Sequence, residues 1–275
     1  MATWIAHLRI AENLLDLIPN LNAAQFAIGN IAPDSGIPDE KWEKFDPPPQ
    51  VTHFKRSASV HKDIADLDFY RKYLANVAPQ DTARFSFRLG YFFHLITDNL
   101  WTVKVGKPTQ DRYPDQFASD KNFIWEVKKD WYGLDQIYVR SHPNCLFWRV
   151  FLNAQPFDDA PWPDRSLTLA RQPVLDDSPG GQVQDRQGGS ESADLDFLPL
   201  QALSRQLAHI KSFYQRHDTE IDEMCARPFV YLSATEMDSF VLEATDQLKK
   251  IYKALWPNPP ALDGYYSALE LIMKF

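Results

Sequence analysis

The sequence predicts an all-α protein, and three observations carry that expectation. Apolar residues recur at intervals of three and four along several long segments. Strand-like alternation is nowhere sustained. The breaks between periodic segments are rich in Pro, Gly, Asp and Ser, which end helices rather than join strands. The expected architecture is a single multi-helix domain over 1–275, with an irregular insertion at 156–199 before its last helices.

The first helix is expected from Trp4 to Ile18, with Thr3 as its N-cap and Pro19 as its stop. Ile10, Ala11, Leu14 and Ile18 form its apolar stripe, and His7 continues that row inward. A short helix over "AAQFAIGN" follows. The stretch "IAPDSGIPDEKWEKFDPPPQ" is read as loop, and a helix around His53 is not expected. Periodicity returns over 60–77, 80–104, 114–131 and 143–152. Segment 156–199 holds no period; Ser, Asp, Gln, Gly and Pro crowd it, so it is read as a mobile loop. Beyond it, Leu200, Leu203, Leu207, Ile210, Tyr214, His217 and Ile221 continue one stripe. Phe240, Ala244, Leu248, Ile251 and Leu255 make the next, and a final short helix ends at Phe275. No internal repeat is visible.

Composition narrows the function. The 275 residues are 44% hydrophobic and 13% aromatic, ample for a large core. Net charge is −8, which gives no general attraction to nucleic acid or anionic lipid; no stable nucleic-acid binding is expected. An anionic substrate would need a local positive centre, and a bound cation supplies one. Cys145 and Cys225 are the two cysteines, too few for a disulfide framework. The start "MATWIAHLRIAENLLDLIP" has neither a basic leader nor a long apolar run, and no window reaches the apolar length of a spanning helix. A cytoplasmic protein without a transmembrane segment is expected.

The chemistry concentrates in "GYFFHLITDNLW", residues 90–101. On a helix His94 and Asp98 share one face, with Gly90 a turn earlier, expected to leave open space beside His94. Such a pair is either a hydrogen-bonded core histidine or half of a metal site. Ionising it among Phe, Leu, Ile and Trp is costly without compensation, and imidazole and carboxylate are both zinc ligands. His7 faces inward on the first helix, His53 sits in "VTHF", and Asp34 follows a turn proline in "IAPDSG". Each alone reads as structural. His61, His142, His209 and His217 are assigned to structure or surface. The aromatic neighbours Tyr91, Phe92, Phe93 and Trp101 read as core before pocket.

Taken in order, "HLRIAENLL", "FAIGNIAPDSG", "THF" and "LGYFFHLITDNLW" resemble the zinc-dependent phospholipase C family, and more distantly the S1/P1-type nucleases. They cover the first hundred residues. The resemblance implies an all-helical domain with clustered zinc. Asp34, His53, His94 and Asp98 would hold one ion; His7 would hold a second, with Asp98 bridging. Asp34 would double as the base that orients the attacking water. In the family the N-terminal tryptophan also binds through its free amine. Here Met-Ala-Thr precedes Trp4, so that ligand does not carry over directly. Full three-zinc members add two histidines and a glutamate; this chain has no histidine between His94 and His142. Asp111, Asp115, Asp120, Glu126, Asp130 and Asp135 are the acids nearby, Asp130 and Asp135 the best placed. One or two zinc ions are therefore expected.

The function so implied is metal-dependent hydrolysis of a small-molecule or lipid phosphate ester by a zinc-activated water. Two alternatives stand beside it: a degenerate member that holds metal for structure alone, and an HD-type phosphohydrolase resting on His217-Asp218.

Overall fold

The computed structural model describes residues 1–40, 44–56, 64–77, 82–156 and 195–272. The fold is all-α, with one two-residue antiparallel pairing, Ile37–Pro38 (β1) against Phe45–Asp46 (β2). Helix α1 spans Trp4–Leu15, and the Thr3 hydroxyl caps it by accepting the Ala6 N–H. The chain then closes a turn on the Leu14 carbonyl, so this helix stops earlier than expected. Helix α2, Ala23–Gly29, is capped by Asn22. A 3-10 turn, Ala32–Asp34, lies within the stretch read as loop, and the single turn α3, Pro49–Thr52, begins on its last two residues. Proline starts α3 because its fixed φ suits the first helical position. Where a helix was not expected, His53 ends one.

Next come α4, Asp66–Phe69, which runs into a π-helical turn at Tyr70–Leu74, and α5, Thr82–Trp101, continued by a second π-helical turn at Thr102–Gly106. Short α6, Lys107–Arg112, and α7, Pro114–Ser119, precede the long α8, Phe123–Ser141. The period read over 114–131 is thus two helices, and the second continues ten residues further. Helix α9, Leu146–Arg149, ends before a 3-10 turn at Phe151–Asn153.

The insertion expected at 156–199 falls, over 157–194, outside the described residues. Its last five residues are described and hold turns and bends, with Leu195 and Leu198 buried in the core. The stripe from Leu200 to Ile221 is broken into α10, Leu200–Tyr214, and α11, Thr219–Ala226. The break is chemical: the Asp218 carboxylate accepts the Ile221 N–H and starts a new helix. Helix α12, Ala234–Leu255, opens on a reciprocal cap between Ser233 and Glu236, and α13, Leu269–Ile272, follows.

Helix α5 is the axis of the molecule. Every residue from Leu89 to Trp101 is buried. A helix apolar on all sides must be surrounded, and α1, α2, α4 and α12 pack on it. Closest is α2, where two glycines meet the facing backbone. A Cβ on Gly29 would lie 2.1 Å from the Phe87 carbonyl oxygen, and one on Gly90 would lie 2.4 Å from that of Phe26. The expected open space beside His94 is therefore absent. Gly90 serves close helix approach, and α2 fills the space.

Candidate metal centre

Four elements bring His7, Asp34, His53, His94 and Asp98 together. His7 comes from α1, Asp34 from the 3-10 turn, His53 from the end of α3, and His94 and Asp98 from α5. His7 Nε2 lies 3.4 Å from Asp98 Oδ1. His53 Nε2 lies 3.3 Å from Asp34 Oδ1 and 3.5 Å from Asp98 Oδ2. His94 Nε2 lies 3.6 Å from Asp98 Oδ2 and 3.9 Å from Asp34 Oδ1. All five residues are buried or nearly so.

These separations are long for hydrogen bonds, which run at roughly 2.7–3.2 Å for N–H···O. They match something else. Ligands about 2.0–2.2 Å from a tetrahedral zinc lie roughly 3.3–3.6 Å from one another. Consistently, His7 Nε2, Asp34 Oδ1, His53 Nε2, His94 Nε2 and Asp98 Oδ2 are buried without a hydrogen-bond partner. An orphaned buried polar atom is costly, and here the five residues fall into two triads that share His94: His7, His94 and Asp98, and Asp34, His53 and His94. The far sides of His94, His53, Asp34 and Asp98 are held, whereas His7 Nδ1 is also buried without a partner. His94 Nδ1 lies 2.8 Å from the Asn30 carbonyl, which can only accept, so Nδ1 carries the proton. With Nδ1 so occupied, Nε2 is the nitrogen that faces Asp98, and in the neutral ring it offers a lone pair there. His53 Nδ1 meets the Thr52 hydroxyl at 3.0 Å, and Asp34 Oδ2 accepts the Trp4 indole N–H at 3.0 Å. The centre is a cluster of unpartnered buried ligand atoms, anchored from outside except at His7, which is an arrangement a cation resolves.

The clustered groups also shift one another's protonation. Burial, reinforced by the nearby His94, pushes His7 down to about 4, so it is neutral at pH 7. The His7 and His94 rings stack with centroids 3.9 Å apart. Burial alone would lower His94, but Asp98 and Asp34 outweigh it and raise it. Burial alone would raise Asp98, but the ammonium on Met1, then His94 and His7, outweigh it and hold it well below the usual carboxylate range. Asp34 is lowered likewise, with His94 and His53 overcoming burial.

Residues 6–101 match the family described as zinc dependent phospholipase C. This segment is similar to that family. The match ends at Trp101, the last residue of α5, and contains all five clustered residues. No match is found among curated proteins or among solved structures. Ahead of the matched segment, the chain start also touches the cluster, and the amine ligand of the family does not carry over to Trp4. The Ala2 backbone N, not that of Trp4, reaches the cluster, 2.8 Å from Asp98 Oδ1.

The remaining candidates separate from the cluster. Asp130 is buried and its Oδ2 accepts the Val230 and Tyr231 N–H groups at 2.7 and 2.6 Å, tying α8 to the connection between α11 and α12. Asp135 accepts the Thr3 hydroxyl at 2.7 Å and the Tyr214 hydroxyl at 2.6 Å; burial pushes it up to about 7. Asp111, Asp115, Asp120 and Glu126 are exposed. His142 is exposed and stacked on Tyr138, and His61 lies outside the described residues. His217 is exposed and Asp218 caps α11, so the HD-type reading has no metal cluster behind it among the described residues. Tyr91, Phe92 and Phe93 are core, as expected; Trp101 is buried yet also lines a cavity beside the centre.

Sequence reasoning missed Trp4 as the Asp34 partner, although its i, i+3 spacing from His7 placed it near that face. It also missed Lys128, which lines the cavities over the centre. No local signal distinguishes Lys128 from a solvent-face lysine of an amphipathic helix.

Proposed function

We propose that Asp34, His53, His94 and Asp98 hold one zinc ion, that His7 holds a second with Asp98 shared, and that the chain hydrolyses phosphate esters. The observation that carries this is the orphaned set of five buried donor atoms at zinc-ligand separations. Asp98 supports the sharing, since Oδ1 faces His7 while Oδ2 faces His53 and His94.

Bound zinc supplies Lewis acidity, acidifying water and polarising a phosphoryl oxygen. The chain's own residues divide the remaining work. His94 and Asp98, buried to 0% and 1%, are withdrawn from solvent and fix the geometry. Asp34 and His53 form the open edge of the centre. Asp34 lines cavities on two sides, and its Oδ2 is aligned by the Trp4 indole. That position suits a carboxylate that orients a water and accepts its proton. Two carboxylates contribute −2 and three neutral imidazoles nothing, so two zinc ions leave the site net positive and attractive to phosphate despite the acidic chain. The family implies a lipid phosphate ester, and the apolar lining of the larger cavity, with Phe45, Phe117, Ile124 and Trp131, is compatible with one.

The reading of metal for structure alone predicts a closed site; the opening at Asp34 and His53 favours turnover. The test is elemental analysis of the purified protein, then hydrolysis of a chromogenic phosphodiester, a chromogenic phosphomonoester and phosphatidylcholine in mixed micelles. Each is run with chelator and with zinc restored. Bound zinc with chelator-sensitive hydrolysis is expected. Zinc without hydrolysis of any of them would leave a structural site, and absence of zinc would remove the centre.

A further inference from the structure

Two cavities meet at the open edge of the centre. The larger is about 530 Å³ and the smaller about 350 Å³. Met1, Asp34, Gly36, Phe45 and Lys128 line both. Lys128 is the one side-chain cation of these five. It is half-buried on α8, and among the described residues it is in no ion pair. Its ammonium lies 4.5 Å from the Trp125 ring centroid. Burial lowers its affinity for a proton, while Asp34 and Asp98 act to raise it, so it stands in the field of both carboxylates.

An ammonium withdrawn from water without a counter-charge is costly. With the centre empty of cations, the two carboxylates offset that cost at a distance. Zinc reverses the sign of the centre, and Lys128 then faces positive charge across the junction. One arrangement satisfies both: an anion held between the ammonium and the metal ligands. A phosphate oxygen suits this position, because lysine binds phosphate as a point charge without demanding a planar fork.

We propose that Lys128 is a substrate-binding residue whose ammonium holds an oxygen of the substrate phosphate where the two cavities meet. The proposal rests on the metal-centre reading above. The other cations of these walls are more peripheral. Lys55, Lys121 and Arg205 each line only one of the two cavities; Lys121 and Arg205 are exposed, and Lys55 is half-buried on the wall of the larger cavity alone.

The test uses the full chain as wild type, Lys128→Met and Lys128→Arg, each loaded with zinc and assayed for bound metal by elemental analysis. Inorganic phosphate is then titrated by calorimetry at pH 7 at two salt concentrations. All three proteins should bind equal zinc. Lys128→Met should weaken phosphate binding by about tenfold to hundredfold, the range of a charge-assisted hydrogen bond, and should reduce its salt dependence. Lys128→Arg should retain most of the affinity. Equal zinc with unchanged phosphate affinity in Lys128→Met overturns the role of Lys128 and leaves the metal centre standing. A wild type that takes up no zinc overturns the metal centre instead, and if it also binds no phosphate the Lys128 role falls with it. Should Lys128→Met fail to fold, Lys128→Gln is judged by the same criterion.

Discussion

Removing the metal should expose how much of the fold depends on it. Stripped of cations, the centre leaves five buried donor atoms unpartnered: His7 Nε2, Asp34 Oδ1, His53 Nε2, His94 Nε2 and Asp98 Oδ2. At about 1–3 kcal/mol for each unsatisfied buried group, the penalty is roughly 5–15 kcal/mol. That is comparable with the whole stability of an ordinary domain. For a chain of this size each kcal/mol moves the melting midpoint by about 2–4 °C, so even the lower bound gives a shift of about 10 °C or more. The assay is thermal unfolding of wild type and Asp98→Asn, each with zinc and with excess chelator. In Asp98→Asn the amide nitrogen can donate to the lone pair of His94 or His7, and the shared negative charge is gone. The variant should hold less zinc, and its chelator shift should shrink to about 3 °C or less, the effect of about one kcal/mol. A wild type that carries no zinc and melts at the same temperature with chelator refutes the reasoning. The five atoms would then be a polar core, and Asp98→Asn would cost only about 1–3 kcal/mol with no dependence on metal.

Gly90→Ala should cost about 3 kcal/mol or more in a denaturant titration, because its Cβ would meet the Phe26 carbonyl at 2.4 Å and force α2 from α5. Zinc content should fall with it, since Asn30 anchors His94 from the end of α2; a loss below about 1 kcal/mol with full zinc would contradict the close approach. Trp4→Phe removes the indole donor to Asp34 and keeps the ring among Tyr132, Phe213 and Tyr214. Turnover should drop by about tenfold or more with stability nearly kept, and unchanged kcat would exclude a role for that hydrogen bond. Asp135 ionises near 3.8 when unfolded and at about 7 when folded, so the folded state holds the proton longer and its stabilising share is lost as pH rises. Relative to wild type, Asp135→Asn should therefore gain up to about 4 kcal/mol between pH 4 and pH 8; a difference that does not change with pH would rule this out. Asp130→Asn should destabilise by about 1–3 kcal/mol, having weakened the acceptor for Val230 and Tyr231 N–H, while zinc content stays unchanged; loss of zinc would make Asp130 part of the centre.

Much of this architecture was legible in the residues because it is set locally. The cap at Thr3, the short helix at Ala23–Gly29 and the pairing of His94 with Asp98 on one face follow from side chains within one or two turns. The stripe of α12 follows from the same spacing. The order of His7, Asp34, His53, His94 and Asp98 pointed to a cluster through resemblance alone, since the spacings between the first three carry no geometry. Helix ends were less legible. The long stripe after Leu200 hid the break at Asp218, because periodicity persists across a cap that merely resets the helix. Gly90 was read as open space when it marks where α2 touches α5, a fact about a neighbouring helix and not about the segment itself. Asp130 and Asp135 looked alike in sequence as possible ligands, and their partners on Val230, Tyr231, Thr3 and Tyr214 decided otherwise. Lys128 stayed invisible for the same reason. A sequence fixes which side chains share a helix face, because backbone geometry repeats every 3.6 residues. Which faces meet, and which charge is left without a partner where they meet, depends on packing between elements far apart in the chain, and only the folded structure supplies those distances.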